Sequence, residues 1–122
     1  MNGIVDITVN GVKHRLRFNV MSCSQFERLV FSDLEESGNK TLLNLVYSGI
    51  YGENLRNELP KPDFKDIYDL VEALADEDDF VEQRDKVEST YYESKYGRKF
   101  LEVMEEFKKK IEAQEENSLQ ES

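Results

Sequence analysis

The stretch GIVDITVNGVKHRLRFNV, residues 3 to 20, constrains the fold more than any other part of this chain. Asn10-Gly11 stands between two runs that alternate apolar and polar residues. Asn-Gly favours a two-residue type I′ turn, because both central positions need φ > 0. That turn sets the register: Val9 opposite Val12, Ile7 opposite His14, Val5 opposite Leu16, and Asp6 opposite Arg15 as a favourable cross-strand pair. Phe18 and Val20 continue the apolar face, and Thr8, Lys13, Arg15 and Arg17 occupy the other. A lone hairpin is marginally stable in water, so its apolar face must rest on helices.

The rest of the chain supplies them. In SCSQFERLVFSDLEESGN, Ser24 and Glu27 have capping-box spacing, Phe26, Leu29, Val30 and Leu34 form a helical stripe, and Gly38 reads as the stop. KTLLNLVYSGIYGEN carries Leu42, Leu43, Val46, Tyr47 and Ile50 over more than one face, the pattern of a central core helix that Gly49 weakens and Gly52 closes. Pro60 and Pro62 hold an extended loop. Asp63 then caps a helix whose inner face reads Phe64, Ile67, Tyr68, Val71 and Leu74, with Asp63 and Asp66 at its positive end. A fourth helix is predicted from about Asp79, with Phe80, Val81, Arg84, Val87 and Tyr91, breaking or kinking at Gly97. A fifth is read over residues 96 to 117, with Lys108 to Lys110 in its last turns. The fold expected is mainly α: an N-terminal β-hairpin over about 4–20 and about five helices in one small helical domain, 1–112. A flexible acidic tail is expected over 113–122, where periodicity is lost.

Composition limits what such a domain does. The chain has 122 residues, 26 Asp and Glu against 16 Lys and Arg, a formal charge of −10, and no Trp. One modest core is affordable at this length. A nucleic-acid ligand is disfavoured, because phosphate contacts need clustered Lys and Arg, and an anionic membrane surface is disfavoured for the same reason. Cys23 is the single cysteine, which rules out an internal disulfide and suits a reducing compartment. No apolar run approaches the ~18 residues of a membrane span. The first residues lack the basic-then-apolar order of a signal peptide.

No stretch carries a catalytic, cofactor or metal signature. Asp76 to Asp79 fail as a calcium loop, because the positions that should hold Gly and Glu are Val81 and Val87. His14 shares a face with Ile7 and Leu16 and reads as a structural histidine. A Cys23–His14 pair lacks the electropositive setting and orienting third group of a nucleophile. The six glycines form neither GxGxxG nor GxxxxGK[ST]. The chain is therefore expected not to be an enzyme and to need no cofactor.

Two features point to partners instead. Tyr91, Tyr92 and Tyr96 cluster in STYYESKYG, and tyrosines supply amphipathic contact area at interfaces. Phe100, Met104, Phe107 and Ile111 then recur every three or four residues, widened at one end by Leu101, with charges on the other faces. A stripe this narrow has coiled-coil proportions. It serves either contact with another chain or folding back onto the first helix, and the pattern leaves both open.

The layout resembles the tail assembly chaperones of long-tailed phages and prophages, the lambda-like and HK97-like groups among them. The resemblance rests on VDITVNGVKHRLRF, then QFERLVFSDLEESGNKTLLNLVYSGIYGEN with its phrase Leu45-Val46-Tyr47-Ser48-Gly49-Ile50, then DFKDIYDLVEALADEDDFVEQ. It spans about residues 4 to 110 and contains no single diagnostic motif. It implies a non-enzymatic holdase in the host cytoplasm. Such a protein coats the tape measure protein, keeps it soluble until tail tube subunits polymerise around it, and is absent from the virion. It further implies self-association into an oligomer. It also implies a frameshifted longer form that recruits the major tail tube protein, of which this chain would be the shorter form. The residues that would serve the partner are Tyr91, Tyr92, Tyr96, Phe100, Leu101, Met104, Phe107 and Ile111. Two competing readings are an acidic decoy, imitating a phosphate backbone to inhibit a host nucleic-acid-binding enzyme, and a structural adaptor within the phage particle.

Overall fold

In the computed structural model, which describes residues 3–32 and 38–120, the hairpin takes the register the sequence dictates. Strand β1 (Ile4–Val9) pairs antiparallel with β2 (Val12–Arg17), Val9 facing Val12 and Ile4 facing Arg17. Asn10 and Gly11 both have positive φ, 52° and 78°, as a type I′ turn requires. Val5, Ile7, Val9 and Leu16 face inward and are buried, as is Phe18 beyond the strand, whereas Val12 is exposed. The sheet is thus covered at its Leu16 end and open at the turn.

Among the described residues five helices follow: α1 (Val20–Ser32), α2 (Gly38–Arg56), α3 (Phe64–Ala75), α4 (Phe80–Glu93) and α5 (Lys95–Gln120). Helix α2 is the centre. It packs against β2, α1, α3 and α4, and buries Leu42, Asn44, Leu45, Val46, Tyr47 and Ser48 in succession, so it is enclosed on several sides. One continuous core joins the hairpin's inner face to Cys23 and Phe26 of α1, Leu42, Leu45 and Val46 of α2, Ile67 and Leu74 of α3, Val87 and Tyr91 of α4, and Phe100 of α5.

Polar side chains fix the joints. Asn19 begins α1: its Oδ1 accepts from the Met21 and Ser22 amides at 3.1 and 3.0 Å, while Ser22 Oγ accepts from the Asn19 amide at 2.7 Å. Asn19 Nδ2 also donates to the Gly52 carbonyl, tying the start of α1 to α2. Asp63 caps α3, accepting from the Lys65 amide at 2.9 Å, as its position before the helix requires. Gln83 reaches from α4 to β1, where its Oε1 accepts from the Thr8 amide at 2.8 Å and its Nε2 donates to the Thr8 carbonyl at 3.0 Å. Arg17 and Glu53 form a half-buried ion pair at 3.4 Å between β2 and α2.

Several expectations are corrected. Asn19, not a Ser24–Glu27 box, caps α1, and Val20 opens that helix exposed instead of extending the strand face. Gly38 begins α2 and does not stop α1, and Leu34 lies outside the described residues. Gly49 and Gly52 do not end α2, which runs on to Arg56. They are contact points: a Cβ on Gly49 would stand 2.6 Å from Cβ of Leu16, and one on Gly52 would collide with the Arg17 carbonyl oxygen. The break between α4 and α5 falls at Ser94, ahead of Gly97. The last helix continues to Gln120, past residue 113, so Lys108 to Lys110 sit mid-helix, away from the terminal carbonyls that favour cations.

Candidate partner-binding surface

The residues singled out for a partner divide between core and surface. Tyr91 is wholly buried and Phe100 is 7 % exposed, so neither belongs to an outer face; both are corrected to core. They form one aromatic cluster with α1 and the hairpin. Tyr91 meets Phe26 at 4.7 Å and Phe18 at 5.4 Å between centroids, and Phe100 stands 5.9 Å from Phe26, all edge-on. Each such pair adds about 0.5–1.5 kcal/mol beyond area burial. Tyr92, Tyr96 and Met104 pack against the core and stay partly open.

Leu101, Phe107 and Ile111 are exposed at 38 %, 48 % and 40 %, joined by Val103, which the stripe pattern had passed over. The physical reason is reach. Helix α5 packs on the body mainly along α4 and α1, and Phe100 is its one fully inserted side chain among the described residues. With 26 residues α5 is about 39 Å long. Its later turns therefore run past the body and carry an apolar face with Glu102, Glu105, Glu106, Lys108, Lys109 and Lys110 exposed around it.

A second apolar surface lies between α2, α3 and α4. Leu42, Leu43, Phe64, Tyr68, Val71 and Phe80 line a groove of about 610 Å³. Phe64 and Tyr68 belong to the expected inner face of α3, yet both are about half exposed, because no described element covers that end of the helix. At the rim the Glu72 carboxylate, hydrogen-bonded to the Tyr68 phenol, pushes that phenol's pKa up. A shallower hollow of about 510 Å³ beside the turn holds Val12, His14, Ile50, Asp66 and Leu70. Here His14 is half-buried at the surface, among apolar side chains and two α3 carboxylates.

Cys23 sits elsewhere, buried beside Ser22, Ser94 and Tyr91. Burial, then the nearby Glu27 charge, pushes its thiol up to about 11, the reverse of what a nucleophile needs. Glu27 is itself raised by burial. Asp76 to Asp79 form the α3–α4 connection: the Asp76 amide closes α3 on the Ala73 and Leu74 carbonyls, and Asp79 accepts from Gln83 Nε2 at 2.8 Å. Among the described residues no group of three or more His, Cys, Asp or Glu is placed to hold a metal ion, and no helix is long and apolar enough to cross a membrane. Comparison of the chain with models of known protein families, with curated proteins and with solved structures returns no match.

Proposed function

We propose that this chain is a tail assembly chaperone of a long-tailed phage or prophage, holding the tape measure protein soluble in the host cytoplasm until the tail tube assembles. The reading starts from the sequence resemblance, and one structural observation supports it most. Helix α5 is anchored by Phe100 and then carries Leu101, Phe107 and Ile111 outward on a strongly acidic body. A tape measure protein is a very long helical chain, and a holdase for it must offer an apolar helix face while its own charge keeps the complex dispersed. Many copies act along one partner, which favours self-association, and a longer frameshifted form would bring the tail tube protein. No catalytic step or cofactor enters this role.

The test is a pull-down of the tagged chain from cells producing its phage, with mass spectrometry of the captured proteins and a salt series. One very long helical phage protein, retained at high salt, is the expected result, because apolar contacts are little screened. Capture of a host nucleic-acid enzyme released by salt would replace the chaperone with the acidic decoy. Presence of the chain in purified virions would replace it with a structural adaptor.

A further inference from the structure

A single residue separates α4 from α5. Ser94 has φ −68° and ψ 158°, and the residues on either side of it are helical. Its φ already has the helical value, so rotating one angle, ψ of Ser94, to about −42° merges the two into one continuous helix. The bent form is held by few groups. The Tyr91 carbonyl accepts from the Ser94 amide at 3.1 Å and from Ser94 Oγ at 2.5 Å, and Ser94 Oγ accepts from the Gly97 amide at 3.1 Å. Gly97 lies so close to that carbonyl that any Cβ would collide with the Tyr91 oxygen. At the joint itself the bend depends on one hydroxyl and on the absence of one side chain, and beyond the joint on Phe100, Tyr96 and Met104 packing against the core.

Straightening withdraws Phe100 from the place it fills between Phe26 and Tyr91 and leaves an apolar socket. The group that fits this socket is Phe100 itself, delivered by a helix that packs on the body mainly along α1 and α4. We infer that α5 exchanges between two copies of this chain. In the exchanged dimer α4 and α5 form one helix from Phe80 to Gln120, and Phe100 of each copy occupies the Phe26–Tyr91 socket of the other. Docking within one chain benefits from high effective concentration, so the bent monomer prevails when the protein is dilute and the exchanged dimer when it is concentrated. This stands apart from any phage partner: its failure would leave capture of the tape measure protein, the test of the chaperone reading, unchanged.

Two substitutions push the hinge in opposite directions, and neither touches Leu101, Phe107 or Ile111. Gly97→Ala collides with the Tyr91 carbonyl in the bent form, while residue 97 is helical in both forms, so the collision alone tips the balance toward the straight helix. Lys95→Pro suits the bent form, because proline is favoured at the first position of a helix and an extended Ser94 is what must precede it; inside a continuous helix it is disruptive. Each protein is refolded from denaturant over a range from micromolar to millimolar and its mass measured by light scattering. Wild type is expected to form a dimer at the upper end, Gly97→Ala at a concentration at least about tenfold lower, and Lys95→Pro at none. A folded, monomeric Gly97→Ala protein, or a wild-type chain that stays monomeric throughout, overturns the inference. A dimer retained by Lys95→Pro also overturns it, because pairing through the exposed stripe would survive that change. If Gly97→Ala does not fold, wild type against Lys95→Pro decides alone.

Discussion

The Tyr91 ring stands edge-on to the Phe26 ring, centroids 4.7 Å apart, with the tyrosine wholly buried and its hydroxyl lacking a hydrogen-bond partner. Tyr91→Phe keeps the ring and deletes the unsatisfied group. An unpaired buried polar group costs about 1–3 kcal/mol, so the variant is expected to melt at a higher temperature than wild type. Tyr91→Ala removes the centre of the cluster and is expected to lose about 3–5 kcal/mol in urea unfolding. A Tyr91→Phe protein less stable than wild type would mean that the hydroxyl has a partner in solution.

The two halves of the α5 stripe are expected to respond differently. Phe100→Ala empties a core site and costs about 3–5 kcal/mol. Replacing Leu101, Phe107 and Ile111 together by Gln changes exposed positions, where substitutions usually stay within about 0.5 kcal/mol each. Circular dichroism melting separates the two cases. The triple variant is expected to keep its melting temperature and to capture no partner in the pull-down.

Gly52 tests the close approach of α2 to the hairpin. A methyl group there meets the Arg17 carbonyl oxygen and Ser22 Cβ, and the former is backbone that cannot turn aside. Gly52→Ala is expected to destabilise by more than about 1 kcal/mol, although alanine is the better helix former by about that amount. Equal or greater stability in thermal unfolding would show that α2 stands farther from β2.

Cys23 sets an alkaline limit. Its folded thiol is pushed up to about 11, above the ordinary thiol value, by burial and then by Glu27. Tyr91 is shifted in the same direction, by burial first. The unfolded chain therefore releases these protons at lower pH than the folded one. Stability is full below the ordinary thiol pKa and is lost as pH rises from there toward 11. The urea midpoint is expected to fall between pH 8 and pH 10.5, and Cys23→Ala to flatten that fall. In the folded protein at pH 8, a thiol reagent is expected to label Cys23 only as fast as the chain unfolds.

Local patterns made some elements legible. Asn10-Gly11 and strict alternation define the hairpin, because side-chain period and turn chemistry agree there, and Asp63 announces α3 in the same way. Glycines misled. Gly38 and Gly52 read as stops and Gly49 as a weak point, yet all three lie within α2, and the last two make room for β2 and α1. One sequence does not distinguish a glycine that ends a helix from one that admits a neighbour. The candidate surface was half legible. Periodicity placed Phe100, Phe107 and Ile111 on one face, but how far the body extends beneath that face is a tertiary fact, and it makes the first of them core and leaves the others exposed. Phe64 and Tyr68 show the converse: their spacing is that of an inner face, and only the absence of a covering element among the described residues turns them outward.

The Gln83 amide takes both main-chain groups of Thr8, so a side chain stands where a third strand would otherwise hydrogen-bond. Two-stranded sheets are exposed to a particular hazard, since a bare row of amides and carbonyls invites identical chains to zip together into fibrils. Here the row on β1 is interrupted near the turn, and the Asn10 amide one step further is taken by Glu77. On β2, Lys13 and Arg15 are exposed, so a second copy that tries to align along that strand meets like charges. Helix α4 and the connection before it, which pack along β1, therefore also keep the sheet from growing.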